Sequence, residues 1–314
     1  YDNLRTREVS TQDLLDLLSA AEPGFEPGTN YAYSNGGYAV LAHIIGEAGN
    51  STYRDVVNTR IFDPLGLDAS RVDNVHEIIP ARARGYDPAG LRGYENAPFR
   101  NPSASIGSGS IVMSAADLLA FTKELENPTL VDPALVDRML TAHNNAYGYG
   151  ISVYSLFGRP VIGHDGREPG FIADTTWYPE SDVRVILIGN LQTAVSDEFR
   201  RDLAAIVFGE DYTLPVLRAV PAGAPSTAIL DAAIGAYAFG PAFRVEVAMR
   251  DGRLFARAGE SDFTELAYAG DDSFFARALF ASVRFESDTP GTPADRMLWS
   301  QDGNTFTGTR IEDA

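Results

Sequence analysis

The chain has 314 residues, 45% hydrophobic and 22% charged, the profile of a folded globular protein. Its net charge is -18 and Lys123 is its one lysine, so nucleic acid and anionic lipid are disfavoured as partners, since both demand a basic face. The absence of cysteine excludes disulfides, zinc–thiolate and iron–sulfur sites and a cysteine nucleophile, and no apolar run approaches a membrane span.

Ser10 and Asp13 form a capping box ahead of a helix whose apolar face is Leu14, Leu15, Leu17 and Leu18. Pro23, Gly24, Pro27 and Gly28 break the chain before Tyr31-Ala32-Tyr33-Ser34-Asn35-Gly36-Gly37-Tyr38. Tyr38, Leu41, Ala42 and Ile45 then recur at helical spacing up to Gly49-Asn50. Ser51 is expected to cap a further helix through Tyr53, Val56, Val57 and Ile61, stopped at Asp63-Pro64-Leu65-Gly66. Residues 68–109 carry little periodicity and read as a functional loop region. Gly107-Ser108-Gly109-Ser110 leads to a second expected capping box, Ser114 with Asp117, and to a helix bearing Leu118, Leu119, Phe121 and Leu125. Asp132-Pro133 starts another helix, buried through Val136, Met139 and Leu140.

From Tyr147 the period changes to two. Strands are expected over Tyr149–Leu156, Arg159–Gly163, Phe171–Tyr178 and Val183–Ile188, with a turn at Pro179–Asp182 and a closing helix over Ser196–Phe208. Pro215, Pro221 and Pro225 mark a linker over 212–227. Beyond it, Phe243–Met249, Arg253–Arg257, Ser273–Arg277, Ala281–Glu286 and Met297–Ser300 alternate between turns at Asp251-Gly252, Asp271-Asp272 and Gln301-Asp302-Gly303. The expected fold is α+β, with helices packed on an antiparallel sheet over 1–211 and a small all-β sandwich or barrel over 228–314.

Two clusters can carry chemistry. Tyr33 and Asn35 lie two apart, so in an extended or turning backbone a phenol and a carboxamide point one way; the alternative is an ordinary aromatic turn. His164, followed by Asp165 and Gly166, ends its expected strand, and Gly166 would admit a ligand to the backbone; the alternative is a hairpin turn with a surface histidine. The other histidines, His43, His76 and His143, show no metal-ligand spacing, so neither metal nor cofactor is expected.

Taken in order, Glu26-Pro27-Gly28-Thr29, Tyr31–Asn35, Ile61–Leu67, Ser110–Phe121, His164–Phe171 and Tyr178–Asn190 resemble the serine β-lactamase and penicillin-binding-protein-like hydrolases. The likeness is to the class C β-lactamase, D-peptidase and esterase branch, and it covers roughly residues 10–208. The tail resembles the lipocalin-like domain of some relatives. The resemblance implies covalent catalysis by a serine, activated by a lysine one helical turn later. It makes Tyr33 the proton relay, Asn35 the substrate-amide holder, His164 and Gly166 the strand wall, and the Arg167 N–H an oxyanion donor. Ser108, Asp165, Arg167 and Phe171 become substrate-side positions. The implied substrate is a small molecule or peptide: a D-amino-acid peptide, a β-lactam or a small ester. The implied location is periplasmic or secreted, in a bacterium.

One element of the pattern is missing. Three residues before Lys123 stands Ala120, so the chain holds no Ser-x-x-Lys. Ser34, Ser108 and Ser110 have no visible partner base as substitutes. The chain starts at Tyr1 without a visible signal peptide, and the expectation is a processed or truncated piece of a longer product. The first strands of the sheet and the nucleophile helix would then lie upstream or in a separate N-terminal fragment acting in trans. The alternative is a relative that binds without turnover.

Overall fold

The computed structural model describes residues 6–88, 94–143, 145–191, 196–212, 224–240, 243–259, 263–276, 281–289, 291–301 and 304–311. Pro215 and Pro221 of the expected linker, Arg277 and the Asp302-Gly303 turn lie outside the described residues. The chain forms two compact units. One comprises Tyr1–Gly85, Ala97–Gln192 and Leu203–Glu210; the other comprises Tyr86–Asn96, Thr193–Asp202 and Asp211–Ala314.

In the first unit, helix α1 (Thr11–Ser19) starts on a complete capping box, with Ser10 and Asp13 each satisfying the other's backbone N–H. Helix α2 (Asn35–Gly49) starts three residues before its first expected apolar position because the Ser34 hydroxyl accepts the Gly37 N–H at 3.0 Å. It ends at Asn50, whose φ of 48° satisfies the last turn in the left-handed region. Helix α3 (Tyr53–Val57) is capped by Thr52 rather than Ser51: Thr52 accepts the Asp55 N–H, and both hydroxyls bond the Asp55 carboxylate. The helix then widens into a π turn, Asn58–Phe62, before the short α4 (Asp63–Leu65) stops at Gly66.

The stretch 68–109, expected to be loop, holds three short strands. Strand β1 (Arg71–Val72) pairs with β4 (Ile111–Val112), which follows the stretch. Strands β2 (Tyr86–Pro88) and β3 (Tyr94–Asn96) form a hairpin. Helix α5 (Ala115–Glu126) is capped by Ser114, but the box is only half made. The Asp117 carboxylate accepts from the Ala69 N–H at 3.0 Å and the Ser70 hydroxyl at 2.7 Å, so it anchors a distant loop instead of returning to its own cap. Helix α6 (Pro133–Met139) begins as expected on Asp132.

The sheet is antiparallel, in the order β5 (Ser152–Leu156), β6 (Arg159–Glu168), β7 (Phe171–Tyr178), β8 (Val183–Gly189). Helices cover both faces, as strand alternation dictates. On one side Trp177 lies under Arg184, whose guanidinium pairs with Glu126 of α5. On the other, fully buried Tyr178 meets Ala204 and Phe208 of α7 (Ser196–Phe208), with the Tyr178 and Phe208 rings 4.8 Å apart. Strand β6 does not stop at Gly163. Its ladder with β7 runs from Ile162↔Trp177 to Glu168↔Phe171 and closes over Pro169-Gly170, where Gly170 takes φ 78°.

The second unit ends in a closed barrel, not a sandwich. Helix α8 (Thr227–Ala233) precedes β9 (Gly235–Ala238), β10 (Arg244–Arg250), β11 (Arg253–Ala258), β12 (Thr264–Gly270), β13 (Ser273–Ala276), β14 (Ala281–Glu286), β15 (Arg296–Gln301) and β16 (Asn304–Ile311). Each strand pairs with its successor, and β16 returns to β9 through Thr309↔Ala238 and Ile311↔Ala236. Strands β9, β12 and β16 were not visible in the period-two pattern. The interior is filled: Tyr237, Val247, Leu254, Phe274, Val283 and Met297 are all buried in one cluster. Arg310 closes one end. It donates to the carbonyls of Ile234 at 2.7 Å, Ala232 at 2.8 Å and Ala294, and to the Tyr237 hydroxyl at 2.8 Å. No described helix is long and apolar enough to cross a membrane.

Candidate active site

The two chemistry-bearing clusters meet. Tyr33 lies just ahead of α2, and its ring stacks on His164 of β6 with centroids 6.3 Å apart and planes at 28°. Residues 164 and 166 share one face of β6 with Ile162, the partner of Trp177. His164 therefore stands within the ladder rather than at its end, and the turn reading fails because β7 pairs with every residue from Ile162 to Glu168. Strand β5 pairs with β6 only as far as Gly163, so the His164–Glu168 segment forms the margin of the sheet beside Tyr33.

A third residue joins them. The Tyr147 hydroxyl is 2.7 Å from His164 Nε2, and its ring stands edge-on to Tyr33 at 6.0 Å and 88°. Tyr31 is 6.2 Å from Tyr147, tilted at 52°. Sequence reading passed over Tyr147, which sits in Tyr147-Gly148-Tyr149-Gly150 before β5. The glycines are the signal. A Cβ on Gly148 would enter the Met139 carbonyl, and one on Gly150 would lie 3.0 Å from the Tyr38 hydroxyl. The chain thus turns tightly against α6 and α2, and the Gly148 N–H bond to Ile151 O at 2.8 Å fixes the turn that presents Tyr147.

The loop Gly107–Ser110 sets the distance between the two walls. Gly107 has φ 77°, and a Cβ there would enter the Tyr38 carbonyl and stand 2.8 Å from Ala42 Cβ on α2. A Cβ on Gly109 would enter the Glu168 carboxylate at the far end of β6, itself paired with Arg100. Gly85 and Gly170 make a similar close crossing beneath Phe171, whose ring lies 2.7 Å from where a Gly85 Cβ would be. Gly166 differs from all of these: a Cβ there meets nothing within 4 Å.

The electrostatics keep the phenols protonated. Partial burial, then the charge of Asp165, then Tyr31 raise the Tyr33 pKa. Burial is also the main cause at Tyr147, whose pKa is raised far above that of an ordinary tyrosine, with Tyr33, Tyr38, Tyr31 and Asp165 adding to it. Tyr38 is raised by burial and by Tyr33 and Tyr31. A neutral phenol can donate a hydrogen bond but holds its proton; to accept a proton it must first ionise, which a nearby cation favours by lowering its pKa.

The remaining expected site residues are placed as follows. Asn35 is exposed in the first turn of α2, where Ser34 leaves extended geometry and the helix begins. Asp165 and Arg167 are exposed on β6, and Phe171 begins β7. Ser108 donates its hydroxyl back to the Ser105 carbonyl at 3.2 Å, so it closes its own loop. Ser34 caps α2, and Ser110 is 3% exposed. None of the three offers an activated, accessible hydroxyl. Lys123 is exposed near the end of α5. Among the described residues, no group of three or more His, Asp or Glu side chains is placed to hold a metal ion.

A beta-lactamase family model matches residues 1–208. Penicillin-binding protein 4* of Bacillus subtilis is 25% identical over 301 residues, covering 87% of this chain and 66% of that protein. A D-aminopeptidase of Brucella anthropi is 24% identical over 196 residues, covering 60% of this chain and 36% of that protein. Among solved structures, a D-stereospecific amidohydrolase from Streptomyces sp. superposes with a TM-score of 0.58 at 22% identity, covering 67% of this chain and 64% of that one. The octameric penicillin-binding protein homologue from Pyrococcus abyssi gives 0.57 at 19% identity, covering 97% and 67%. The structural likeness is one of fold, and the chain spans less than two thirds of the length of both curated relatives named here.

Proposed function

This chain belongs to the beta-lactamase family, and on that premise we propose that it forms part of a serine hydrolase that opens an amide or ester through an acyl-enzyme, the serine and its lysine being supplied by polypeptide outside these residues. The observation that carries the reading is the joining of Tyr33 to the His164 strand by ring stacking at 6.3 Å, with Tyr147 bonded to His164 at 2.7 Å. Elements far apart in sequence thereby line one site.

In this reading the serine Oγ attacks the substrate carbonyl and its proton passes to the lysine–Tyr33 pair. The incoming lysine cation would offset the burial and the Asp165 charge that now raise the Tyr33 pKa. Tyr33 then returns the proton to the leaving amine or alcohol, and water releases the acyl group. Asn35 holds the substrate amide, His164 and Gly166 form the wall, and the Arg167 N–H serves the oxyanion. Ser108, Asp165 and Phe171 stand on the substrate side. The open space at Gly166 supports this wall as the ligand face. The D-aminopeptidase and amidohydrolase relatives favour an amide of a D-amino acid as substrate. We place the protein in the periplasm or outside the bacterial cell. The barrel matches a lipocalin-like domain in strand number and closure, and its described inward side chains form one buried cluster.

The test is intact-mass spectrometry of the complete gene product after a fluorophosphonate or a β-lactam. A single covalent adduct on a serine is expected, and no adduct on a verified full-length protein would refute the reading. A second reading, binding without turnover, is favoured by one observation: no Ser-x-x-Lys occurs in the chain. It predicts saturable ligand binding, no product, and no such motif anywhere in the complete gene product.

A further inference from the structure

Strained backbone leads into the ring cluster. Asn145 and Ala146, just ahead of Tyr147, take φ of 48° and 55°. Residues with a Cβ are disfavoured in that region, and such strain persists only where the surroundings over-determine it. Three backbone contacts do so. The Tyr147 carbonyl accepts the His143 N–H at 2.9 Å, and the Ala146 carbonyl accepts the Val153 N–H at 2.7 Å. Tyr147 also bridges Ser152, itself the partner of Gly163 on β6. The phenol is thereby delivered beside the next residue, His164. The Tyr33, Tyr147 and His164 rings meet in a corner, with centroids 5.8 to 6.3 Å apart. The Tyr147 hydroxyl and His164 Nε2, 2.7 Å apart, share one proton. Two arguments assign it to the oxygen. A separation that short belongs to a hydroxyl donor, since N–H donors sit nearer about 2.9–3.0 Å from oxygen. The phenol also keeps its proton, because burial raises its pKa, and an imidazole nitrogen is a better acceptor than a phenol oxygen.

We propose that Tyr147 is a positioning residue whose hydroxyl donates to His164 Nε2 and so holds the imidazole proton on Nδ1. Neutral imidazole free in water prefers its proton on Nε2, so the contact reverses the ordinary tautomer. The state of one ring nitrogen is set by the hydrogen bond that the other makes. Among the described residues nothing bonds His164 Nδ1. The wall beside the open face of Gly166 therefore offers a donor. A ligand group lying against it must accept a hydrogen bond, as a carbonyl oxygen does and an N–H does not. As a part of catalysis this rests on the hydrolase reading; as a tautomer lock it stands on the hydrogen bond and the ring geometry.

The experiment uses the 314-residue protein with its histidine ring nitrogens isotopically labelled. At about pH 8.5 an ordinary imidazole is neutral, and long-range proton–nitrogen correlation spectra tell its two tautomers apart. The His164 signal is the one lost in His164→Gln. It should show the proton on Nδ1 in the parent and on Nε2 in Tyr147→Phe, which keeps the ring and lacks the donor. A parent proton on Nε2, or a proton on Nδ1 that survives Tyr147→Phe, would overturn the proposal. The parent spectrum needs no variant, so the test holds if Tyr147→Phe disturbs the fold. In the complete enzyme Tyr147→Phe should lower kcat/KM by about threefold to tenfold, the worth of one hydrogen bond. An unchanged kcat/KM would overturn the role in catalysis. The tautomer measurement involves no turnover. A serine adduct without the tautomer change would refute the lock alone, and the tautomer change without an adduct on the full-length protein would refute the hydrolase alone.

Discussion

Adding one methyl group at Gly107 should open the joint between the two walls of the site. The position has φ 77°, where a side chain costs about 1–2 kcal/mol. The new Cβ would enter the Tyr38 carbonyl and lie 2.8 Å from Ala42 Cβ, against an ordinary carbon contact of about 3.5–4.0 Å. Helix α2 must therefore retreat by on the order of 1 Å, at a further overpacking cost of about 1–3 kcal/mol. The sum for Gly107→Ala is roughly 2–5 kcal/mol, or on the order of 10 °C in Tm for a unit of this size. Gly166→Ala is the matched control. It is the same chemical change, with nothing within 4 Å and no positive φ, and in a strand it should be neutral or favourable by up to about 1 kcal/mol. Thermal unfolding by circular dichroism measures both, with the near-ultraviolet tyrosine signal reporting the ring corner. If Gly107→Ala melts within about 1 °C of the parent, or if Gly166→Ala costs as much, the loop does not set the spacing.

Tyr33→Phe in the complete enzyme should lower turnover at least about a hundredfold, because a positioned acid–base group carries that much; an unchanged kcat removes Tyr33 from the mechanism. Stability should fall as pH rises above about 10, the ordinary tyrosine value. Burial raises Tyr33, Tyr38 and Tyr147 in the folded chain, and pushes Tyr237 up to about 12 against the opposing Arg310 charge. The native protein then keeps protons that the unfolded chain releases, so this stability is full below that pH and is lost above it. Tm measured from about pH 8 to about pH 11 beside phenolate absorbance checks this, and native-state ionisation of every tyrosine near pH 10 would contradict it. Arg310→Met should destabilise the barrel by roughly 3 kcal/mol, since it removes the guanidinium that serves three carbonyls and the Tyr237 hydroxyl; Ala232 keeps the Ala294 N–H and Tyr237 keeps the Ala233 carbonyl, so the loss falls mainly at the Ile234 and Ala294 carbonyls. A denaturant midpoint equal to the parent's would show that water replaces those bonds without loss.

The helices of the first unit were largely legible, because caps and apolar spacing act locally: Ser10, Ser114 and Asp132 each cap a helix as expected, while the Ser34 cap was not foreseen and Thr52 takes the place given to Ser51. Errors arose where a side chain had a distant claimant. Asp117 looks like half of a capping box, yet it bonds the 69–70 loop. His164 looks like a strand end because Asp165-Gly166 resembles a turn, and only pairing with β7 shows otherwise. Strand β16 has only Gly308 buried among its exposed and half-buried residues, so no periodicity announces it. It is a strand because ring closure supplies partners on both sides, from β15 and β9. Tyr33 and His164 could be picked out by motif order. Tyr147 could not, since its role rests on a contact that the Gly148 turn creates.

The return of β16 to β9 has a topological consequence. Ile311 lies opposite Ala236, so the polypeptide enters and leaves the barrel at neighbouring points. A ring with adjacent ends can be cut at any hairpin and rejoined at its old termini by a short bridge. Its ladder retains every partner whichever strand is synthesised first. The first and last strands of the barrel thus have their outer ends side by side, an arrangement suited to transplantation and circular permutation.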